Sequence, residues 1–115
     1  MLNFNKNAPL DVICVGRATV DIYAKDIGLL EDACSFAKYL GGSPANTAVA
    51  LAKQGIKVGL ITKVSNDGMG LFVKKYLSAN HIDISQIKTD LDGHLTGITI
   101  GEILGNGKCS CLMYR

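Results

Sequence analysis

The stretch Tyr39-Leu-Gly-Gly-Ser-Pro44-Ala-Asn-Thr-Ala-Val-Ala-Leu-Ala-Lys-Gln-Gly55 constrains the fold of this chain more than any other. Ser43 suits an N-cap, and Pro44 suits the first helical position because its absent N–H would be unpaired there anyway. Gly55 suits a left-handed stop. The spacing predicts a helix from Pro44 to about Gln54. Its inner face, Ala45, Ala48, Val49 and Ala52, repeats at i, i+3, i+4, i+7 with small side chains, so the helix can lie close against a sheet.

The flanking segments supply that sheet. Lys57 to Val64 reads as a strand. Asn66 or Asp67 can cap a second helix, in which Met69, Phe72, Val73, Tyr76 and Leu77 form the apolar face while Lys74 and Lys75 face water; Asn80 and His81 end it. Upstream, Asp11 to Gly16 is a short apolar run ended by glycine, as expected of a first core strand buried on both faces. Val20 to Lys25 alternates like a strand with one wet face. Ser35 to Leu40 is its expected partner across a loop carrying Gly28, Glu31 and Asp32, giving a two-stranded flap that leaves the main sheet. The strand–helix–strand–helix order favours right-handed crossovers and a largely parallel sheet. From Leu95 the pattern changes: Thr96 to Leu104, the dipeptide Asn106-Gly107, then Cys109 to Tyr114 read as a tight hairpin. No helix closes the sheet after it. No internal repeat, linker or low-complexity segment interrupts the 115 residues.

Composition narrows the function. At 48% hydrophobic and 19% charged, the chain has the make-up of one globular domain with a real core. A net charge of +2, with basic and acidic residues interspersed, argues against a nucleic-acid partner. The N-terminus lacks a cationic region followed by an apolar run, and no segment approaches the roughly 20 apolar residues of a membrane span. These features predict a cytoplasmic protein with no membrane partner. Cys14, Cys34, Cys109 and Cys111 contain no C-x-x-C pair and are accompanied by two His residues, which argues against a structural zinc site and predicts no bound metal. Cys109-Ser-Cys111 places both thiols on one strand face, where buried small apolar side chains are the expected outcome.

The chemistry-bearing residues cluster around the glycine pair. Gly41-Gly42 ahead of a helix N-terminus lets backbone approach a ligand closely, and the first-turn N–H groups are free to donate. The pattern is neither G-x-G-x-x-G nor a Walker A loop, and a plain tight turn fits these residues equally well. Asn46, in the first helical turn, offers an amide that both donates and accepts. Asp21 follows the first strand's carboxyl end, where ligands sit in open α/β sheets and a carboxylate can accept two neighbouring sugar hydroxyls; on these residues alone, each of Asn46 and Asp21 is more often a solvated or turn-capping residue.

Gly41-Gly-Ser-Pro-Ala-Asn46-Thr-Ala48, Gly55 and Asp67-Gly-Met-Gly70 together resemble the N-terminal signature of the PfkB (ribokinase-like) carbohydrate kinases, and Gly16-Arg-Ala-Thr-Val-Asp21 resembles that family's opening strand and substrate-binding Asp. The resemblance runs from about Asp11 onward. It implies an α/β fold: the N-terminal portion of a ribokinase-like Rossmann-type sheet carrying a small β flap, or lid, over about residues 20–40. Gly16-Arg17, Val20-Asp-Ile-Tyr23, Leu30-Glu-Asp, Ser35 to Asn46 and Leu112-Met-Tyr-Arg115 are most similar to the 5-dehydro-2-deoxygluconokinase branch; ribokinases usually carry Lys-Gly where this chain has Ser43-Pro44.

The resemblance implies ATP and Mg²⁺ as co-reactants of the full-length enzyme and a small-molecule sugar acid as substrate. It assigns hydroxyl binding to Asp21, Gly42 and Asn46. The sugar carboxylate falls to Arg115, with Arg17 as a further candidate, since a guanidinium meets a carboxylate bidentately. Ser65 and Asn66 depart from the family pattern, which usually has glycine and an acid there. The family's second signature, a Gly-Ala-Gly-Asp-like segment supplying the catalytic base and anion hole, is not in the sequence, and neither is the ATP-binding region. The expectation is therefore a sugar-binding N-terminal piece, residues 1–115, that is inactive alone and self-associates through its lid or exposed sheet edge. A standalone binding or assembly module, or a PfkB kinase of another specificity such as 2-keto-3-deoxygluconate or fructose, are the alternatives.

Overall fold

The computed structural model describes residues 5–114. Strands and helices follow in the order β1 (Val12–Val15), β2 (Thr19–Ile27), β3 (Phe36–Gly41), α1 (Ser43–Lys53), β4 (Val58–Val64), α2 (Gly68–Ala79), β5 (Ile87–Thr89), β6 (Ile98–Ile103) and β7 (Cys109–Tyr114), with a short 3₁₀ turn at Leu30–Asp32. They form a three-stranded sheet ordered β1-β4-β5 and a four-stranded sheet ordered β3-β2-β6-β7. The first is wholly parallel, with Val12 opposite Val58 and Thr62 opposite Ile87. Both crossovers pass through a helix, as parallel neighbours require.

Helix α1 packs on β1 and β4, and α2 on β4 and β2. Ala45 and Ala48 of α1, Val73 and Leu77 of α2, and Val58, Leu60 and Val64 of β4 form one buried cluster with Val20 and Leu40 of the second sheet. The small residues of α1 let it sit close to the strands, as its pattern predicts. In α2, Gly70 is also buried, packed on the carbonyl of Ser65. The cap of α2 is Asp67, whose Oδ1 accepts the N–H groups of Met69 at 2.8 Å and Gly70 at 3.0 Å.

Several expectations need correction. The N-cap of α1 is Gly42, at φ 92° and ψ 124°, and Ser43 is already helical. A Cβ on residue 42 would overlap the Arg17 carbonyl and touch the Ala18 Cα, so backbone contact with the β1–β2 connection decides which residue caps. Strand β1 is covered on one face only: Cys14 joins the core, whereas Ile13 and Val15 are 56% and 66% exposed and their neighbour Ile61 of β4 is 41% exposed. Both helices lie on the opposite face, and a continuous apolar run cannot reveal that one side stays open.

The flap is larger than the pair of strands expected over residues 20–40. β2 pairs antiparallel with β3 on one edge and parallel with β6 on the other, and β7 returns antiparallel to β6. At the hairpin the Gly107 N–H donates to the Leu104 carbonyl at 2.9 Å, and the Leu104 N–H donates to the Lys108 carbonyl at 2.8 Å. With Gly107 at φ 75°, the Asn-Gly dipeptide ends the loop and does not form the centre of a two-residue turn. Cys109 and Cys111 are exposed and not buried, because β7 is the outer strand of this sheet.

Candidate functional site

Residues paired across a β-ladder share a face. In the flap, Tyr39, Asp21, Thr99 and Met113 form one row across the four strands, and Ala37, Tyr23, Gly101 and Cys111 form the next. This face and the start of α1 enclose a cleft of about 610 Å³. Thr19, Asp21 and Tyr23 of β2 form its floor, Gly42, Ser43 and Pro44 one wall, and Thr99, Cys111 and Met113 the other; Arg17 stands at its rim.

The glycine pair shapes this cleft from below. A Cβ on Gly41 would overlap the Asp21 carboxylate and the Thr19 hydroxyl, so the missing side chain is the space that Asp21 occupies. Thr19 Oγ1 is the one side-chain donor to Asp21, at 3.4 Å, and the other carboxylate oxygen has no hydrogen-bond partner among the described residues. Asp21 is half-buried, a placement in which a carboxylate can exchange water for ligand hydroxyls. Tyr23 lies with its ring over Gly101 and tilted against Tyr39, centroids 6.2 Å apart. Burial raises its phenolic pKa, and the nearby Asp21, Cys109 and Cys111 raise it further, so the hydroxyl stays protonated as a donor.

Of the sequence-derived candidates, the structure brings Asp21, Gly42 and Arg17 to one cleft. Arg17 is exposed and makes no ion pair among the described residues. Asn46 is exposed on the first turn of α1 and does not line the cleft; its backbone N–H donates to the Gly42 carbonyl at 2.9 Å. Arg115 lies outside the described residues. Thr19 and Tyr23 were not singled out from the sequence, although period two from Asp21 places them on its face. Thr99, Cys111 and Met113 could not be assigned to this cleft from the sequence, because the β2–β6 pairing that brings them in is non-local.

The unusual Ser65 is buried and ties the loop before α2. Its N–H donates to Thr96 Oγ1 at 2.9 Å, its hydroxyl pairs with Thr96 Oγ1 at 2.7 Å, and the same hydroxyl donates to Asp67 at 2.7 Å. That hydrogen bond, then the Gly70 N–H, hold the Asp67 carboxyl below its ordinary pKa. Asp90, Asp92 and His94 form the one group of three metal-capable side chains among the described residues. Asp90 is already committed: Lys63 Nζ lies 2.5 Å from one oxygen, and the N–H groups of Asp92 and His94 reach the other at 2.9 and 3.0 Å. These donors, Lys63 foremost, hold its pKa well below the carboxylate range, and the trio orders the approach to β6. Among the described residues the cleft does not fit a nucleoside triphosphate, because Arg17 is its one cation there and Pro44 removes an N–H from the helix start.

Residues 9–115 match the family described as pfkB family carbohydrate kinase. The 5-dehydro-2-deoxygluconokinase of Geobacillus thermodenitrificans is 45% identical over 116 residues, covering 100% of this chain and 34% of its own length. That of Clostridium tetani is 48% identical over 115 residues, covering 99% of this chain and again 34% of its own. The chain therefore spans about a third of the length of the curated relatives it matches. Among solved structures, an uncharacterized sugar kinase from Pyrococcus horikoshii in complex with ATP superposes with a TM-score of 0.83 at 34% identity, over 90% of this chain and 34% of that one. A PfkB protein from Polaromonas gives 0.85 at 31% identity, over 92% and 35%. No helix among the described residues is long and apolar enough to cross a membrane.

Proposed function

The chain belongs to the pfkB family of carbohydrate kinases, and from that premise we propose that its cleft is the sugar side of a site at which ATP phosphorylates a hydroxyl of a sugar acid, 5-dehydro-2-deoxygluconate, in the cytoplasm. The observation that carries this reading is the half-buried Asp21 carboxylate, held over Gly41 beside the start of α1, with the Arg17 guanidinium at the rim of the same cleft. Asp21 accepts neighbouring hydroxyls, the backbone at Gly42 donates, and Arg17 meets the carboxylate. The proposal keeps Asn46 as a hydroxyl donor reached through the helix start and Arg115 as a second guanidinium. Tyr23 adds a hydrogen-bond donor on the floor, and the flap excludes water that would otherwise accept the phosphoryl group.

ATP would supply the phosphoryl group, and Mg²⁺ would neutralise its phosphates in the complete site. The cleft residues hold and orient the sugar alone. No Gly-Ala-Gly-Asp-like segment occurs in the sequence, so none of the cleft residues is assigned as general base or anion hole. Further copies of the chain are the other proposed partner, since Ile13, Val15 and Ile61 leave one sheet face apolar and open. A single monomeric mass by size-exclusion chromatography at every concentration would overturn that part.

Isothermal titration of the chain with 5-dehydro-2-deoxygluconate, 2-keto-3-deoxygluconate and fructose tests the reading. Saturable binding strongest for the first is expected, with no ADP release when ATP and Mg²⁺ are added. Hydrogen bonds to a charged group contribute about 1.5–3 kcal/mol, so Asp21→Asn should weaken binding about 10- to 150-fold. Arg17→Ala should reduce the preference for an acid over fructose. Absence of binding, or unchanged affinity in Asp21→Asn, sinks the assignment.

A further inference from the structure

We propose that Cys109 and Cys111 form a two-thiolate site for a soft, closed-shell cation of the Cu⁺, Zn²⁺ or Cd²⁺ class on the cleft-facing side of β7. Both are free thiols and both are exposed. Cys109 stands opposite Ile103 and Cys111 opposite Gly101, so strand period two aims them to the same side. Cys111 is also part of the cleft lining.

The spacing selects a bridging cation over a disulfide. Residues i and i+2 of an extended strand have Cα atoms about 6.8 Å apart, at the upper limit for a disulfide, whose sulfurs must close to about 2.05 Å. Two metal–sulfur bonds of about 2.3 Å hold the sulfurs about 3.8 Å apart at a tetrahedral angle, which the strand reaches by side-chain rotation alone. Thiolates are also the ligands that soft cations select.

Gly101 puts no side chain between Tyr23 and Cys111, and the Tyr23 ring lies over it. The row Tyr23, Gly101, Cys111 across β2, β6 and β7 sets this thiol on the face that carries the Tyr23 ring. Cys109 Sγ makes only a long hydrogen bond, 3.9 Å to the Ser110 carbonyl, which a cation displaces at little cost. On binding, each S–H loses its proton to solvent and two sulfur–metal bonds form; no electron is transferred, and water completes the coordination.

The site shares the cleft with the proposed sugar position but does not depend on it, since the metal is read without sugar. Cd²⁺ alone is titrated into the reduced chain under argon, following thiolate-to-metal charge-transfer absorption and proton release. One ion per chain with release of about two protons is expected. Cys109→Ser and Cys111→Ser should each weaken binding at least about tenfold, because the second thiolate then no longer acts at high effective concentration. Cys14→Ser and Cys34→Ser should leave it unchanged. Unaltered affinity in either β7 variant, or an equal loss in Cys34→Ser, overturns the site. Cys111→Ala, compared by circular dichroism, serves should a serine variant fold poorly.

Discussion

Replacement of Gly42 by alanine tests how the start of α1 is fixed. Gly42 sits at φ 92° and ψ 124°, a region where an L side chain costs about 1–3 kcal/mol. The new Cβ would overlap the Arg17 carbonyl and lie 3.0 Å from the Ala18 Cα. Both are backbone atoms, so neither can rotate away, and overpacking of this kind costs about 1–3 kcal/mol more. The sum, about 2–6 kcal/mol, is a large share of the roughly 5–15 kcal/mol that holds a domain together. Urea denaturation followed by circular dichroism reads the difference as a shift in midpoint at unchanged slope. Gly68→Ala is the control: residue 68 opens α2 with nothing within 4 Å of its absent Cβ, and alanine gains up to about 1 kcal/mol in a helix. A loss below about 0.5 kcal/mol for Gly42→Ala, within the range of an ordinary surface change, refutes the argument.

Gly41→Ala should behave differently, because its Cβ meets the side chains of Asp21 and Thr19, which can turn aside. Stability should fall less than in Gly42→Ala while sugar-acid affinity drops about as far as in Asp21→Asn; titration calorimetry showing full affinity would contradict this. Leu60, 1% exposed at the centre of β4, should cost about 2–5 kcal/mol on truncation to alanine, measured by the same denaturation. The carboxyls of Asp67 and Asp90 are held below their ordinary value of 3.8, so their contribution is present above pH 3.8 and is lost as pH falls through the lower folded values. Acid titration by circular dichroism should therefore show Asp90→Asn losing stability less steeply below pH 3.8 than the parent chain; identical slopes would exclude a role for the Lys63 pairing.

The legible parts of the fold were those decided by near neighbours. The face of α1 and the Asp67 cap depend on residues a few positions apart, the β2–β3 pair joins segments consecutive in the chain, and all three stand in the structure. The start of α1 moved by one residue because Ser43 is the better capping side chain while residue 42 must fit against Arg17. What failed was non-local. Nothing in an apolar run such as Val12–Val15 tells whether helices cover one face or both, and nothing near β6 announces that it will extend the flap alongside β2. The exposure of Cys109 and Cys111 follows from that same pairing, since it leaves β7 at the sheet's edge.

The site divides along the same line, and the division explains how the glycine pair acts. Asp21 and Gly42 could be read because the carboxylate follows the first strand and the glycines precede the helix. Asn46 was expected beside them, but it is exposed on the first turn of α1 and not part of the cleft lining, while its N–H closes on Gly42. Gly41 and Gly42 do unlike work: the first vacates the space that the Asp21 carboxylate fills, and the second lets the helix begin against the backbone at Arg17 and Ala18. Together they set the distance between the carboxylate and the helix start, and Arg17 is part of the backbone contact as well as the rim. A substitution at Gly42 therefore disturbs the fold and the rim together, whereas one at Gly41 acts first on the Asp21 and Thr19 side chains, which is why the two alanine variants separate scaffold from site.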